Sequence, residues 1–184
     1  MKNRKGFTLV ELLLVIALIV MLTALTLPGI KSIHSAGHLN NAGNLVSDVI
    51  NQARQMARAR NSLVLLIIAE DSSGALNQLT LCERSAEATS WKQILRWETL
   101  PAGIAIDPAK SQLTALSPTP SPPTLKRGAG EISPEDYSYQ VFLPDGRLLA
   151  NANPVLYLAS ANASANFYRI VINSSTGVPI IERP

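Results

Sequence analysis

Lys2-Asn3-Arg4-Lys5-Gly6-Phe7-Thr8-Leu9-Val10-Glu11 opens the chain, and an almost unbroken apolar run continues from Phe7 to Leu27. Glu11 is the only ionisable side chain in that run. A helix needs about 20 apolar residues to cross a bilayer core, at roughly 1.5 Å of rise per residue. The run therefore predicts a spanning helix. Lys2, Arg4 and Lys5 crowd its amino end, whereas only Lys31 follows closely on the other side. The positive-inside bias then keeps the head in the cytoplasm and places the bulk of the chain outside. A secretory signal peptide would show an A-x-A-like site after the run; Thr26-Leu27-Pro28-Gly29-Ile30 stands there instead.

Lys5-Gly6-Phe7-Thr8-Leu9-Val10-Glu11, running directly into an apolar helix, resembles the class III signal of type IV prepilins and type II secretion pseudopilins. The resemblance implies that a prepilin peptidase cuts between Gly6 and Phe7 and methylates the new terminus at Phe7. It implies that the helix stays in the mature protein and that Glu11 is the family's acidic residue, used in assembly. The implied partners are that peptidase, an inner-membrane assembly platform, membrane lipid, and other pilins or pseudopilins in a filament. The implied location is a single pass of the inner membrane, with a periplasmic C-terminal domain that enters a pseudopilus or pilus.

The 184 residues carry 16 Lys plus Arg against 13 Asp plus Glu, and three of the basic residues lie in the head that cleavage would remove. The remaining chain is balanced at 13 against 13, which does not favour nucleic acid as a partner. About 150 residues beyond the membrane segment suit one domain. Cys82 is the only cysteine, so no intrachain disulfide can form, and its simplest role is a small buried apolar residue.

Beyond Pro28-Gly29, which should bend or loosen the helix, Leu39, Ala42, Leu45, Val46, Val49, Ile50, Ala53, Met56 and Ala57 recur in steps of three and four. That spacing predicts a helix over about Ser32 to Arg60 with one apolar face. Gly37 and Gly43 are weak points in it, each costing roughly 1 kcal/mol relative to alanine. From Ser62 the period changes. Leu63 to Ala69 and Leu76 to Glu83 read as a hairpin. Further strands are expected over Trp91 to Glu98, Gly103 to Ile106, Tyr137 to Leu143, Arg147 to Ala150, Val155 to Ser160, Phe167 to Asn173 and Val178 to Glu182. Asp107 to Pro134 holds six of the twelve prolines and no aromatic residue, which predicts a long mobile loop around Ser117 to Ile132.

The expected organisation is a leader at 1–6, a transmembrane helix at 7–30, and an extracytoplasmic domain at 31–184. Within that domain, 31–60 is helical and 62–184 β-rich, with the Pro-rich loop at about 107–134. The fold class is α+β, a long N-terminal helix packed on an antiparallel sheet. Within the prepilin family this order resembles the minor pseudopilin group typified by GspH and FimT. Arg60-Asn61-Ser62-Leu63-Val64, Leu100-Pro101-Ala102-Gly103-Ile104 and Phe142-Leu143-Pro144-Asp145-Gly146 are similar to its landmarks.

No Gly-x-Ser-x-Gly, His-Glu-x-x-His, Cys-x-x-Cys or phosphate-loop pattern is present, so no catalytic residue and no cofactor is expected. His34 and His38 have a spacing that can place two imidazoles on one metal, but without a third ligand they read as solvated. Glu131, Glu135, Asp136 and Asp145 could offer oxygens to calcium, yet lack a loop spacing and read as solvated charges. Arg54, Arg58 and Arg60, with Lys126, Arg127 and Arg169, would be the phosphate contacts of a DNA-binding alternative. At the end of a helix the first three also favour the dipole. Trp91, Trp97 and Tyr139 read as core or strand-face residues. The leading expectation is a structural subunit; its rival is a FimT-like minor pilin that captures DNA.

Overall fold

The computed structural model describes residues 8–85, 88, 90–113, 121–128, 130–160 and 163–182, without the side chains of 24–36 and 163–165. The chain divides into two compact units, Met1–Gly37 and His38–Pro184. A single helix, α1 (Leu9–Arg60), supplies most of the first unit and the opening of the second. Pro28 and Gly29, where a bend or loosening is expected, both lie within α1.

In the second unit α1 carries its apolar residues as one stripe, and Leu39, Ala42, Val46, Val49, Ile50, Ala53 and Ala57 are all buried. The helix stops where Asn61 adopts a left-handed conformation, φ 48°, and Ser62 N–H bonds back to the Ala57 carbonyl at 3.1 Å. Glu83 fastens this junction, accepting from Arg60 at 2.5 Å and from the Ser62 hydroxyl at 2.9 Å.

Beyond it run β1 (Leu63–Glu70), β2 (Leu76–Arg84), β3 (Lys92–Gln93), β4 (Glu98–Thr99), β5 (Ile104–Ile106), β6 (Leu125–Arg127), β7 (Gly130–Ile132), β8 (Tyr137–Phe142), β9 (Val155–Ser160), β10 (Ala163–Ile172) and β11 (Pro179–Glu182). Nine of them form one antiparallel sheet in the order β11-β10-β9-β5-β2-β1-β8, with β3 and β4 also pairing β2. The α+β reading therefore holds, a helix packed on a large antiparallel sheet. The strand expected over Trp91 to Glu98 is instead two short pieces. Between them Ile94 and Leu95 both turn their N–H groups to the Leu81 carbonyl. Arg147 to Ala150 contributes only a bridge, Phe142 to Leu148.

The sheet is buried on both faces. Val64, Leu66, Ile68, Phe142, Leu156, Leu158 and Ile170 join the α1 stripe in the main core. Each fully buried aliphatic or Phe side chain there contributes roughly 1.5–3 kcal/mol of transfer free energy. Leu65, Ile67, Ala69, Cys82 and Val141 point the other way, into a second cluster closed by Leu125 and Ile132. Part of the segment expected as a mobile loop around Ser117 to Ile132 meets this second cluster. Residues 117–120 lie outside the described residues, but Leu125 and Ile132 are buried and β6 and β7 pair as a small hairpin. Low aromatic content within the segment was a poor guide, because the aromatic side chains that hold it come from elsewhere.

Candidate functional site

The start of α1 carries a polar network between Thr8 and Glu11. Thr8 precedes the first helical residue, and its carbonyl accepts the first helical bond, from Leu12 N–H at 3.2 Å. The Glu11 N–H donates to Thr8 Oγ1 at 3.2 Å, while Glu11 Oε2 accepts from both the Thr8 N–H and the Thr8 hydroxyl at 2.9 Å. This is a reciprocal capping box, which satisfies donors that a helix N-terminus leaves open. Glu11 was expected only as an assembly residue; the Thr8-x-x-Glu11 spacing is itself a capping signal that the sequence reading missed. Gly6 and Phe7 lie outside the described residues.

From Leu9 to Leu22 the large apolar side chains occupy every side of α1 and are 47% to 77% exposed. A helix that is apolar all round has no stable arrangement in water by itself. Among the described residues no helix is long and apolar enough to cross a membrane. The expected span, Phe7 to Leu27, extends beyond the described side chains at Phe7 and at residues 24–27.

The other expected groups are scattered rather than gathered. His38 Nδ1 lies 3.2 Å from the Ala102 carbonyl, while the His34 side chain is outside the described residues. Asp145 sits in the turn after β8, engaged by the Arg147 N–H at 2.9 Å and guanidinium at 2.6 Å, which hold its carboxyl below the usual range. Glu131, Glu135 and Asp136 instead line a cavity of about 500 Å³ with Glu70, Asp71 and Arg127. Among the described residues no three His, Cys, Asp or Glu side chains are placed to hold a metal ion.

Of the basic residues, Arg60 pairs with Glu83, Arg169 pairs with Glu182, and Arg127 donates to the Glu70 carbonyl and to Gln78 Oε1. The stems of Arg54 and Arg58 lie against the turn glycine Gly146. Lys126 is exposed. Trp91, Trp97 and Tyr139 pack against the second cluster, as core and strand-face residues should.

Residues 1–27 match the prokaryotic N-terminal methylation motif. The fold is similar to that of the type IV minor pilin FimU of Pseudomonas aeruginosa strain PAO1. That match has a TM-score of 0.52 at 12% identity and covers 81% of this chain and 94% of FimU. The minor pseudopilin EpsH from the Type 2 Secretion System of Vibrio cholerae aligns with a TM-score of 0.48 at 10% identity, over 80% of this chain and 96% of EpsH. No curated protein matches the chain by sequence.

Proposed function

We propose that the chain is a minor pseudopilin or minor pilin. A prepilin peptidase cleaves it after Gly6 and methylates Phe7, the apolar helix holds it in the inner membrane, and it enters a filament through that helix with its β domain in the periplasm. The observation that carries this reading is a methylation motif over residues 1–27 running into a helix whose apolar side chains are exposed on every side. Such a surface is satisfied by lipid in the stored subunit and by the helices of other pilins or pseudopilins after extraction by the assembly platform.

Glu11 is the residue we assign to register. A carboxylate in a spanning helix costs at least ~2.5 kcal/mol near the membrane centre and less toward the interface, so it needs a partner. Its capping bonds both use Oε2, and a neighbouring subunit's Phe7 amine is a cation of the right charge for the carboxylate. Glu11→Gln separates the two roles, because glutamine can still complete a capping box but carries no charge. The variant should insert and lose its leader normally yet fail to crosslink into sheared filaments. Normal incorporation would defeat the pairing.

The alternative, a FimT-like subunit that captures DNA, would need Arg60, Arg127 and Arg169 to leave their partners within the domain, whereas Lys126 is exposed. Submicromolar binding of duplex DNA at near-physiological salt, weakened by replacing Arg54, Arg58 or Arg169, would favour it instead.

A further inference from the structure

The outer face of the sheet is covered by a segment that shares no backbone ladder with it. Among the described residues β6 and β7 pair only with each other. Side chains tie the segment down. The Trp91 indole donates to the Ser121 carbonyl at 3.0 Å, the Trp97 indole to the Lys126 carbonyl at 3.1 Å, and the Tyr137 hydroxyl to the Pro123 carbonyl at 2.6 Å. Arg127 reaches back to the Glu70 carbonyl and to Gln78 Oε1. Leu125 and Ile132 are the buried apolar side chains of the segment, and they close the cluster that holds Leu65, Ile67, Cys82 and Val141.

We propose that residues 121–128 and 130–132 form a strap that opens as a unit while the nine-stranded sheet stays folded, alternately covering and uncovering the apolar face of β1, β2 and β8. Lifting the strap breaks side-chain bonds and two apolar contacts but no rung of the main sheet. A local opening of that kind requires far less than global unfolding. The indole and phenol donors stay behind on the exposed face, where water replaces the lost carbonyls, so no donor is left buried without a partner. The strap also leaves little unsatisfied, because Pro122 and Pro123 have no N–H to pair.

Cys82 reports the opening. It is fully buried, and burial pushes its thiol up to about 12, so the closed state resists thiol reagents. The full-length chain in detergent micelles is labelled with a maleimide at increasing urea, while far-UV circular dichroism follows the main sheet. The expected labelling rate is nearly independent of urea below the unfolding transition, because a local opening exposes little surface. Arg127→Ala, and separately Trp97→Phe, which lacks the indole donor, should raise the labelling rate at low urea on the order of tenfold and lower the unfolding midpoint by no more than the matching free energy. Leu66→Ala, on the helix-facing side, should lower the midpoint and leave the labelling rate at low urea unaltered. Labelling that climbs with urea in step with global unfolding would overturn the strap. So would Arg127→Ala and Trp97→Phe variants that leave the labelling rate at low urea unaltered, as Leu66→Ala should.

Discussion

One helix, α1, meets two environments. Between Leu9 and Leu22 its apolar residues lie on all sides and are exposed; between Leu39 and Ala57 they form one stripe and are buried against the sheet. The difference shows that distribution around the axis, and not apolar content, selects a helix's partner. A stripe is satisfied by a single sheet face, whereas an all-round apolar surface requires lipid or several other helices.

Substitution in the two halves should therefore have unequal effects on the folded domain. Ile50→Ala removes a fully buried side chain and should cost about 2–5 kcal/mol of stability. Leu18→Ala, at a 52% exposed position, should leave the domain's urea midpoint in detergent unchanged. Equal losses would dissolve the contrast between the halves. A sharper version compares two glycines. A Cβ at Gly43 would come within 2.7 Å of the Tyr168 ring, whereas at Gly37 it meets nothing within 4 Å. Gly37→Ala should gain up to roughly 1 kcal/mol of helix propensity. Gly43→Ala should lose about 1–3 kcal/mol from overpacking, partly offset by that same propensity. Thermal unfolding of the pair checks the opposite signs.

Smaller effects are expected at the ends of elements. Thr8→Ala deletes the capping box and should cost the first turn of α1 about 1 kcal/mol. Faster amide exchange from Leu9 to Leu12, with the domain midpoint untouched, is the expected record. The smallest effect is acidic. Asp71 accepts bonds from the Ser73 hydroxyl and N–H, the Asn77 amide and the Ala75 N–H in the turn between β1 and β2. The Ser73 hydroxyl and the Asn77 amide lead in holding its carboxyl at about 2, below the ordinary 3.8. A depressed folded value means the stabilisation is present above 3.8 and fades as pH falls toward about 2. Amide exchange at Ser73 and Ala75 should accelerate across that window, and Asp71→Ala should abolish the pH dependence.

Much of this was legible in the sequence. The three-and-four spacing from Leu39 to Ala57 fixed the buried face of α1, and the change of period at Ser62 marked the turn to strands. The strap was not read, although a clue to it was present. Leu63 to Ala69 is a continuous apolar run, and a strand of that kind has both faces covered; α1 covers only one. The remaining cover is held by Trp91, Trp97 and Tyr137 from other parts of the chain, and such long-range donors leave no local pattern. Gly43 was misread for a similar reason: helix propensity counts it as a weakness, while the ring that requires it belongs to Tyr168, on β10. At the candidate site the methylation motif over residues 1–27 was legible locally, and the capping role of Glu11 lay in the same stretch.

The central claim is that the apolar half of α1 remains in the mature protein as its own N-terminus. Intact-mass and N-terminal analysis of the chain, purified from the membrane of a host with an active prepilin peptidase, tests this directly. The account predicts loss of residues 1–6 and a chain that begins at Phe7 and carries one added methyl group. A chain that begins beyond Leu27 would contradict it.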